Sequence, residues 1–300
     1  MRINISLSKI LHGKFGITVS GDASGIRLIQ AGNKTVAFLS PAILSALYPH
    51  HLGHLNYICN ICGQHAGLNL PALHREIVSC FSCGSTVRFR AIIHILSVEL
   101  FGESVTIPDF PERKDIHGIG MSDWLGYAQK LADKLDYVNT FFDQEPRLDI
   151  TEIDPQIEES YDFIISTDVF EHVAPPVSIA FRNAYQLLKP GGVFIFTAPY
   201  KKIGLTEEFF PNLYDYTVGH SDDGYVLNNT TKDGCEEVFT DLTFHGGPGV
   251  TLAMRMFSEL SLLEEFGAAG FHQIRIANES CFEHGIHWNR NSDLPMVARK

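Results

Sequence analysis

The hydrophobic and polar positions divide the chain into regions with different patterns. From about residue 112 onward, short apolar runs alternate with longer segments in which apolar residues recur at helical spacing. This alternation is typical of β-α units that build a parallel sheet. Residues 1–55 carry shorter apolar runs, such as KTVAFLS, which are broken by Gly, Ser and Asn. They predict an N-terminal extension of short strands or a small helix.

The elements after residue 112 follow from the same pattern. The continuous apolar run YDFIIST (161–167) predicts a strand that is buried on both faces. The predicted strands, in order, are KDIHGI, DYVNTFF, RLDI, YDFIIST, VFIFTAP, HQIRIAN and LPMVAR, and the predicted helices are WLGYAQKLADKL, PVSIAFRNAYQLLK and SELSLLEEFGAAGF. Residues 200–255, between the fifth strand and the last helix, are less regular and rich in Gly, Asp, Asn and aromatic residues.

Before this region, four of the six cysteines form two pairs, Cys59/Cys62 and Cys80/Cys83. The two-residue gap in each pair lets both thiolates reach one ion from a single tight turn, and a glycine follows each pair directly. The spacing predicts a closed four-thiolate zinc site, in which the ion has a structural rather than a catalytic role. A helix is predicted to follow within STVRFRAIIHILSVELFG (85–102), with Gly102 ending it.

Other interpretations of the cysteine pairs stay open on the sequence alone. They could be redox-active dithiols, although such a motif is usually a single pair beside a β-α-β unit, or buried thiols without a ligand. His65 and His74 are substitute ligands if one cysteine does not bind. A disulfide scaffold is disfavoured, because the chain is long and its N-terminus carries no secretion signal.

The charge balance narrows the range of partners. The 300 residues carry 23 Lys and Arg against 35 Asp and Glu, a formal net charge of −12. This disfavours broad nucleic-acid binding, which needs Lys and Arg to neutralise phosphates, but leaves open a local basic patch of Arg75, Arg88 and Arg90. No apolar run reaches the roughly 18 residues of a membrane-spanning helix. We therefore expect a cytoplasmic protein without a membrane span.

The segment HGIGMSDW (117–124) contains a G-x-G pair after an apolar run. The dinucleotide-binding fingerprint has a third glycine, and Asp123 stands in its place here. On its own, the segment fits either a nucleotide-binding loop or an ordinary turn. Its position becomes informative through two elements downstream, YDFIISTDVFEHV at 161–173 and LLKPGGVFIFTAP at 187–199.

The order of these elements resembles the class I S-adenosylmethionine-dependent methyltransferases, in particular their type 11 group. The resemblance depends on matching residues in both downstream elements, namely Asp162, Ile164, Glu171, His172, Leu188, Lys189, Pro190, Gly191 and Gly192. It covers residues 112–300 and implies an α/β fold, a Rossmann-like sheet of seven strands with helices on both faces. A small zinc module (56–102) would precede this domain, and residues 200–255 would form a substrate insertion.

The resemblance also implies a cofactor loop after the first strand. Gly118 and Gly120 would let the backbone approach the methionine part of S-adenosylmethionine, because they carry no Cβ. This sequence departs from the family pattern at the last glycine. Ser122 or Asp123 would make that contact instead.

Further cofactor contacts are implied at the ends of the following strands. Asp143 would accept hydrogen bonds from both ribose hydroxyls with its two oxygens, and Glu145 is the reserve for this role. Asp149 would face the adenine amino group, and Ile150 would pack on the adenine ring. Asp168 would line the crevice at the switch point of the sheet.

Methyl transfer to an oxygen requires a base that removes the acceptor proton. Histidine suits this task, because its pKa lies near neutral pH. The candidates are His172, His220 and His245, the last of which opens the glycine-rich segment HGGPG. The favoured function is O-methylation of a small polar acceptor, a sugar or glycan precursor in saccharide biosynthesis, which is an expectation from family analogy.

Two other functions stay in view. One is an RNA or protein methyltransferase that uses the zinc module as a reader, which an arginine surface beside an open cleft would favour. The other is a non-catalytic binding protein on a degenerate methyltransferase fold, which a cleft unable to bind S-adenosylmethionine would favour.

Overall fold

The computed structural model describes residues 26–31, 34–39, 53–221, 224–246 and 249–300. Residues 56–67 and 73–300 form one compact unit, which is separate from the described residues before 56 and from residues 68–72. Two short strands, at 26–31 and 34–39, lie within the predicted N-terminal extension. The other residues of the extension before 53 lie outside the described residues. None of the helices in the described ranges is long and apolar enough to span a membrane.

The strands, in chain order, are Ile26–Ala31 (β1), Lys34–Leu39 (β2), His54–Ile58 (β3), His65–Asn69 (β4), Arg113–Met121 (β5), Leu135–Thr140 (β6), Tyr161–Thr167 (β7), Leu188–Thr197 (β8), Tyr200–Lys201 (β9), Glu207–Glu208 (β10), Asp215–Ser221 (β11), Gly224–Thr230 (β12), Glu236–Phe239 (β13), Phe244–His245 (β14), Thr251–Leu252 (β15), Arg255–Ser258 (β16), His272–Ile276 (β17) and Met296–Arg299 (β18). The α-helices are Val87–Phe101 (α1), Leu125–Lys134 (α2), Ser178–Leu187 (α3) and Glu259–Ala269 (α4).

A six-stranded sheet forms the centre of the larger unit, with the strand order β17-β18-β8-β7-β5-β6. Strands β6, β5, β7 and β8 are parallel. Strand β18 is antiparallel to both of its neighbours. The carboxyl ends of the four parallel strands therefore meet at one edge, where ligands of open α/β sheets bind.

Helices cover both faces of this sheet, which confirms the predicted α/β, Rossmann-like class. On one face, Phe181 of α3 and Phe266 of α4 pack edge to face, 5.0 Å apart, above Phe196 of β8. Helices α1 and α2 are joined to each other by Phe89 and Trp124, whose rings stack at 4.7 Å. These two helices contact β8 and the β5–β6 pair, respectively.

The predicted third strand, RLDI, is the one predicted strand of the sheet that the described residues do not form. Within RLDI (147–150), Arg147 makes a single parallel bridge to Phe141, and the pairing goes no further. The chain turns at Asp149, because its carboxylate accepts a hydrogen bond from the Thr151 amide at 2.9 Å. Strand β6 is therefore the edge of the sheet on this side.

The predicted insertion (200–255) forms small sheets of its own. Strands β11, β12 and β13 build an antiparallel sheet, β14 pairs with β15, and β16 lies between β10 and β9. A cluster of Phe210, Leu227 and Met254 forms the apolar centre of this region.

Candidate functional site

The four paired cysteines converge on one point. The Sγ atoms of Cys59 and Cys83 lie 3.7 Å apart, as do those of Cys62 and Cys80, and all four residues are free thiols. All four sulfur atoms lie within 4.8 Å of one another. Thiolates that bind zinc tetrahedrally at about 2.3 Å are separated by about 3.8 Å. The cluster therefore has the dimensions of a closed zinc site.

Two glycines build the turns that carry these pairs. Gly63 and Gly84 have φ angles of 73° and 82°, a conformation that L side chains rarely adopt. Their amides donate hydrogen bonds of 2.7 and 2.8 Å to the carbonyl of the first cysteine in each pair. The predicted substitute ligands, His65 and His74, are not members of the cluster.

The three arginines of the predicted basic patch are engaged inside the unit. Arg90 is fully buried and donates to two carbonyl groups near the C-terminus. Arg75 pairs with Asp168 at 2.8 Å, and Arg88 pairs with Glu76 at 2.8 Å. The arginines thus do not form a free basic surface, and the local basic patch that the sequence left open is not formed by these residues.

The predicted cofactor glycines lie inside β5 rather than in a loop. A Cβ on Gly118 would come within 2.0 Å of the Phe163 ring, and a Cβ on Gly120 would come within 1.9 Å of the Tyr137 hydroxyl. The space next to these glycines is filled by aromatic rings of the neighbouring strands. Their predicted place in an open loop is therefore wrong, and close packing in the sheet explains why both positions are glycine.

Ser122 and Asp123 lie at the carboxyl end of β5, and only the first is exposed. The Ser122 amide donates to the carbonyl oxygen of Thr140 at 2.7 Å. Asp123 is 2% exposed, and its carboxylate accepts hydrogen bonds from the hydroxyls of Tyr137 and Thr167. Burial raises the pKa of Asp123 to about 7. Asp123 therefore ties β5, β6 and β7 together instead of presenting a free carboxylate.

Asp168 follows β7 and is held in an ion pair at the end of the sheet. Its carboxylate accepts 2.8 Å hydrogen bonds from Arg75 and from the Thr197 hydroxyl, and Arg88 lies 3.5 Å away. Burial alone would raise its pKa, but the two arginines hold the pKa of Asp168 at about 2. A cofactor amino group that reaches Asp168 must share it with Arg75, whose role here the sequence did not indicate.

The remaining predicted cofactor residues follow β6. Asp143 is exposed and has no hydrogen-bond partner among the described residues, and Glu145 lies in the same exposed loop. One oxygen of Asp149 accepts from the Thr151 amide and hydroxyl, which leaves the other oxygen free. Ile150 is 6% exposed and packs into the hydrophobic core, so only a small part of its side chain is open to the predicted contact with an adenine ring.

Glu171, His172 and His245 meet at the carboxyl end of β7. The first two lie in the turn after this strand, and His245 lies on β14 in the insertion. Nδ1 of His245 is 3.2 Å from Nε2 of His172. Oε1 of Glu171 lies 3.6 Å from the first nitrogen and 3.7 Å from the second. Two histidines that the sequence named separately thus belong to one cluster.

The surroundings fix the ring orientation of His172. Its Nδ1 donates to the carbonyl oxygen of Leu252 at 2.8 Å, which leaves the lone pair on Nε2. Nδ1 of His245 donates to this lone pair, so that Nε2 of His245 is the nitrogen able to accept a proton. The Glu171 carboxylate beside it raises the pKa of His245, against the effect of partial burial.

Arg255 positions the turn that carries two members of this cluster. Its side chain is fully buried, and Nη1 donates to the carbonyl oxygens of Phe170 and Val173 at 2.7 and 2.6 Å. Nε pairs with Glu208 at 2.6 Å. No local sequence pattern indicates this role, since the partners of Arg255 lie 47 to 85 positions away.

The third predicted base is not a member of the cluster. His220 lies on the exposed strand β11, where its ring packs against Tyr225 at a centroid distance of 4.9 Å. Two of the three predicted histidines, His172 and His245, therefore remain candidate bases, and they lie in one cluster. Residues 247–248 of the HGGPG segment lie outside the described residues.

Residues 107–194 match a family model described as a methyltransferase domain. The match runs through β5, β6, β7 and β8, the parallel strands whose carboxyl ends carry the acids and the histidine cluster described above. This segment of the chain is therefore similar to a methyltransferase domain.

Three solved structures are similar to the chain at low identity. An S-adenosylmethionine-dependent methyltransferase from Mesorhizobium loti is 15% identical, with 64% of this chain and 94% of that chain covered and a TM-score of 0.38. CalS10, an amino pentose methyltransferase from Micromonospora echinaspora, is 13% identical, with 72% and 92% covered and a TM-score of 0.38. The 1,6-didemethyltoxoflavin-N1-methyltransferase of Burkholderia thailandensis is 14% identical, with 70% and 78% covered and a TM-score of 0.38. No curated protein sequence matches the chain.

Proposed function

We propose that the chain is an S-adenosylmethionine-dependent O-methyltransferase of a small polar acceptor, a sugar or glycan precursor in saccharide biosynthesis. The observation that carries this proposal is the meeting of His172 and His245 with the buried Glu171 at the carboxyl end of β7. Ligands of open α/β sheets bind at this end. A group able to accept a proton thus lies where a methyl acceptor would approach.

The acids at this edge fit the donor groups of the cofactor, which supplies an electrophilic methyl group on a sulfonium. Asp143 would accept from the ribose hydroxyls, because neither of its oxygens has a partner among the described residues. The free oxygen of Asp149 would accept from the adenine amino group. Asp168 would bind the methionine ammonium, and Arg75 beside it would bind the carboxylate.

His245 is the group in this cluster that would remove the acceptor proton. The acceptor hydroxyl would pass its proton to Nε2 of His245, and the cofactor would supply the methyl group from its sulfonium, whose sulfur would take up the electrons of the C–S bond. His172 holds the opposite nitrogen of the same ring at 3.2 Å. Glu171 stabilises the imidazolium, because its carboxylate lies 3.6 Å away.

A cavity of about 510 Å³ between residues of the insertion and Pro175 and Pro176 would hold the acceptor. Pro175 and Pro176 line it and follow His172 by three and four residues. Its polar lining includes Asn212, Thr231, Lys232, Asp233 and Glu237, next to the ring of Tyr214. Side chains that bind hydroxyls, together with a ring that packs on a C–H face, suit a saccharide, and the volume lies in the range of small-ligand sites.

Calorimetry with S-adenosylmethionine and its demethylated product tests the cofactor part of the proposal. We expect micromolar binding to the wild type and about tenfold weaker binding to Asp143→Asn, which loses charge-assisted hydrogen bonds to the ribose. The exposed Asp133→Asn on α2 is the matched control and should bind like the wild type. No measurable binding at millimolar ligand would refute the proposal and favour a non-catalytic protein on this fold.

A transfer assay with labelled cofactor and a panel of glycans tests the chemical part. We expect His245→Gln to lower transfer by about 10²- to 10⁴-fold, the usual contribution of a general base. Cofactor binding by this variant should be unchanged. Transfer at the wild-type rate in His245→Gln would exclude this residue as the base.

A further inference from the structure

We propose that Glu171, His172 and His245 bind a divalent metal ion of the zinc type, separate from the site of the four cysteines. The three side chains offer one carboxylate oxygen and two imidazole nitrogens, all within 4.8 Å of one another. Two histidines and one glutamate are the protein ligands in one kind of catalytic zinc site, which leaves a further position open.

The distances between the donor atoms fit a single ion. The two nitrogens are 3.2 Å apart, and Oε1 of Glu171 lies 3.6 and 3.7 Å from them. A triangle with sides of about 3.5 Å has its centre about 2.0 Å from each corner, and zinc binds nitrogen and oxygen at about 2.0–2.2 Å. An ion can therefore reach all three atoms in the arrangement that the side chains already have.

The Glu171 carboxylate is a second and independent indication. Its side chain is 1% exposed, and neither oxygen has a hydrogen-bond partner among the described residues. A buried carboxylate without partners is unfavourable unless a cation pairs with it. An ion between Glu171 and the two rings would provide that partner.

The neighbouring contacts hold the cluster in the manner of metal ligands. A metal-binding histidine usually donates its other ring N–H to a carbonyl or carboxylate, and His172 donates to the carbonyl of Leu252 at 2.8 Å. The Met254 amide donates to the carbonyl of Glu171 at 2.8 Å, and Arg255 holds the carbonyls on either side of this turn. The ligand-bearing turn is thus fixed before any ion binds.

The cluster is open on the side of His245, whose side chain is 41% exposed. A fourth ligand can enter there, and under the proposed function it would be the acceptor hydroxyl. The ion would lower the pKa of this hydroxyl, so that its proton leaves to solvent and the oxygen attacks the methyl carbon while the C–S electrons return to sulfur. When the ion is bound, it takes the place of the proton on Nδ1 of His245. The ion, and no longer His245, is then the group that ionises the acceptor.

Equilibrium dialysis of the full chain against micromolar Zn²⁺, followed by elemental analysis, tests the site. We expect two zinc ions per chain in the wild type and one in Glu171→Gln and in His245→Asn. The control His272→Asn removes an exposed histidine of β17 and should keep two. Substitution by Co²⁺ gives a spectroscopic check, because visible bands of nitrogen and oxygen ligands should disappear in Glu171→Gln while the thiolate bands remain.

One zinc per chain in the wild type would refute the site. Two zinc ions in Glu171→Gln would equally refute it. Calorimetry with S-adenosylmethionine on the same samples separates this inference from the proposed function. If the protein binds the cofactor but only one zinc ion, the metal site is refuted and the proposed function is not. If it binds two zinc ions but no cofactor, the proposed function is refuted and the metal site is not.

Discussion

Replacing Asp123 by Asn tests whether the buried carboxyl group at the end of β5 keeps its proton near neutral pH. Burial raises the pKa of Asp123 to about 7. In the unfolded chain a carboxyl group of this type titrates near pH 4. Between these two values, the folded state keeps a proton that the unfolded state has lost. Because the folded state then binds more protons, the free energy of unfolding falls as the pH rises.

The magnitude follows from the difference between the two pKa values. About three units correspond to about 4 kcal/mol once the group is ionised in both states. Between pH 5.5 and pH 8, the wild type is expected to lose about 2 kcal/mol through this group. The Asn side chain cannot ionise, but it keeps an oxygen that can accept from the Tyr137 hydroxyl. Asp123→Asn should therefore lack this loss.

Chemical denaturation at several pH values, followed by circular dichroism, measures the effect. The quantity of interest is the change in unfolding free energy between pH 5.5 and pH 8, compared between variant and wild type. Asp133→Asn is the matched control, because this residue is exposed on α2, and it should follow the wild type. The same pH dependence in Asp123→Asn and the wild type would show that Asp123 is ionised in the folded state and would refute the reasoning.

Three further outcomes are expected. Gly118→Ala should lower the unfolding free energy by about 1–3 kcal/mol in a denaturant titration, because its Cβ would come within 2.0 Å of a buried phenyl ring; an unchanged midpoint would contradict the packing argument. Arg75→Met should cost about 2 kcal/mol at pH 7 and less toward pH 3, because the low pKa of Asp168 stabilises the fold only while its carboxylate is ionised; an equal loss at both pH values would exclude this cause. Cys62→Ser should bind one zinc ion fewer per chain than the wild type by elemental analysis, whereas the exposed Cys235→Ser should bind as many, and equal zinc in both would refute the four-thiolate site.

The main elements of the fold are predictable because burial leaves a local pattern. YDFIIST has the same bounds as β7, and Gly102 ends α1 in the left-handed conformation with a φ of 77°. RLDI was not predictable in the same way. Its apolar residues suit a strand, but a hydrogen bond from the Thr151 amide to the Asp149 carboxylate turns the chain before a ladder can form.

The same difference between local patterns and long-range contacts applies to the candidate site. The cluster of four cysteines is predictable, because two residues within one turn fix the spacing of the sulfur atoms in each pair. The meeting of His172 and His245 is not predictable, since 73 positions separate them in the chain. Asp123 and Asp168 have the position that the resemblance implies, but their partners come from distant segments, and only the three-dimensional structure shows that these carboxylates are already engaged.

The ion pair of Arg75 has a consequence for how the chain can be divided. The methyltransferase match begins at residue 107, yet side chains from before that point complete the end of the sheet. A fragment cut there would leave Asp168 without its counter-ions and would release the two carbonyl groups that Arg90 binds. The segment with the four cysteines therefore cannot be removed without loss of these contacts. Under the proposed zinc site and function, loss of zinc would loosen the segment that carries Arg75, weaken its ion pair with Asp168 and thereby lower methyl transfer.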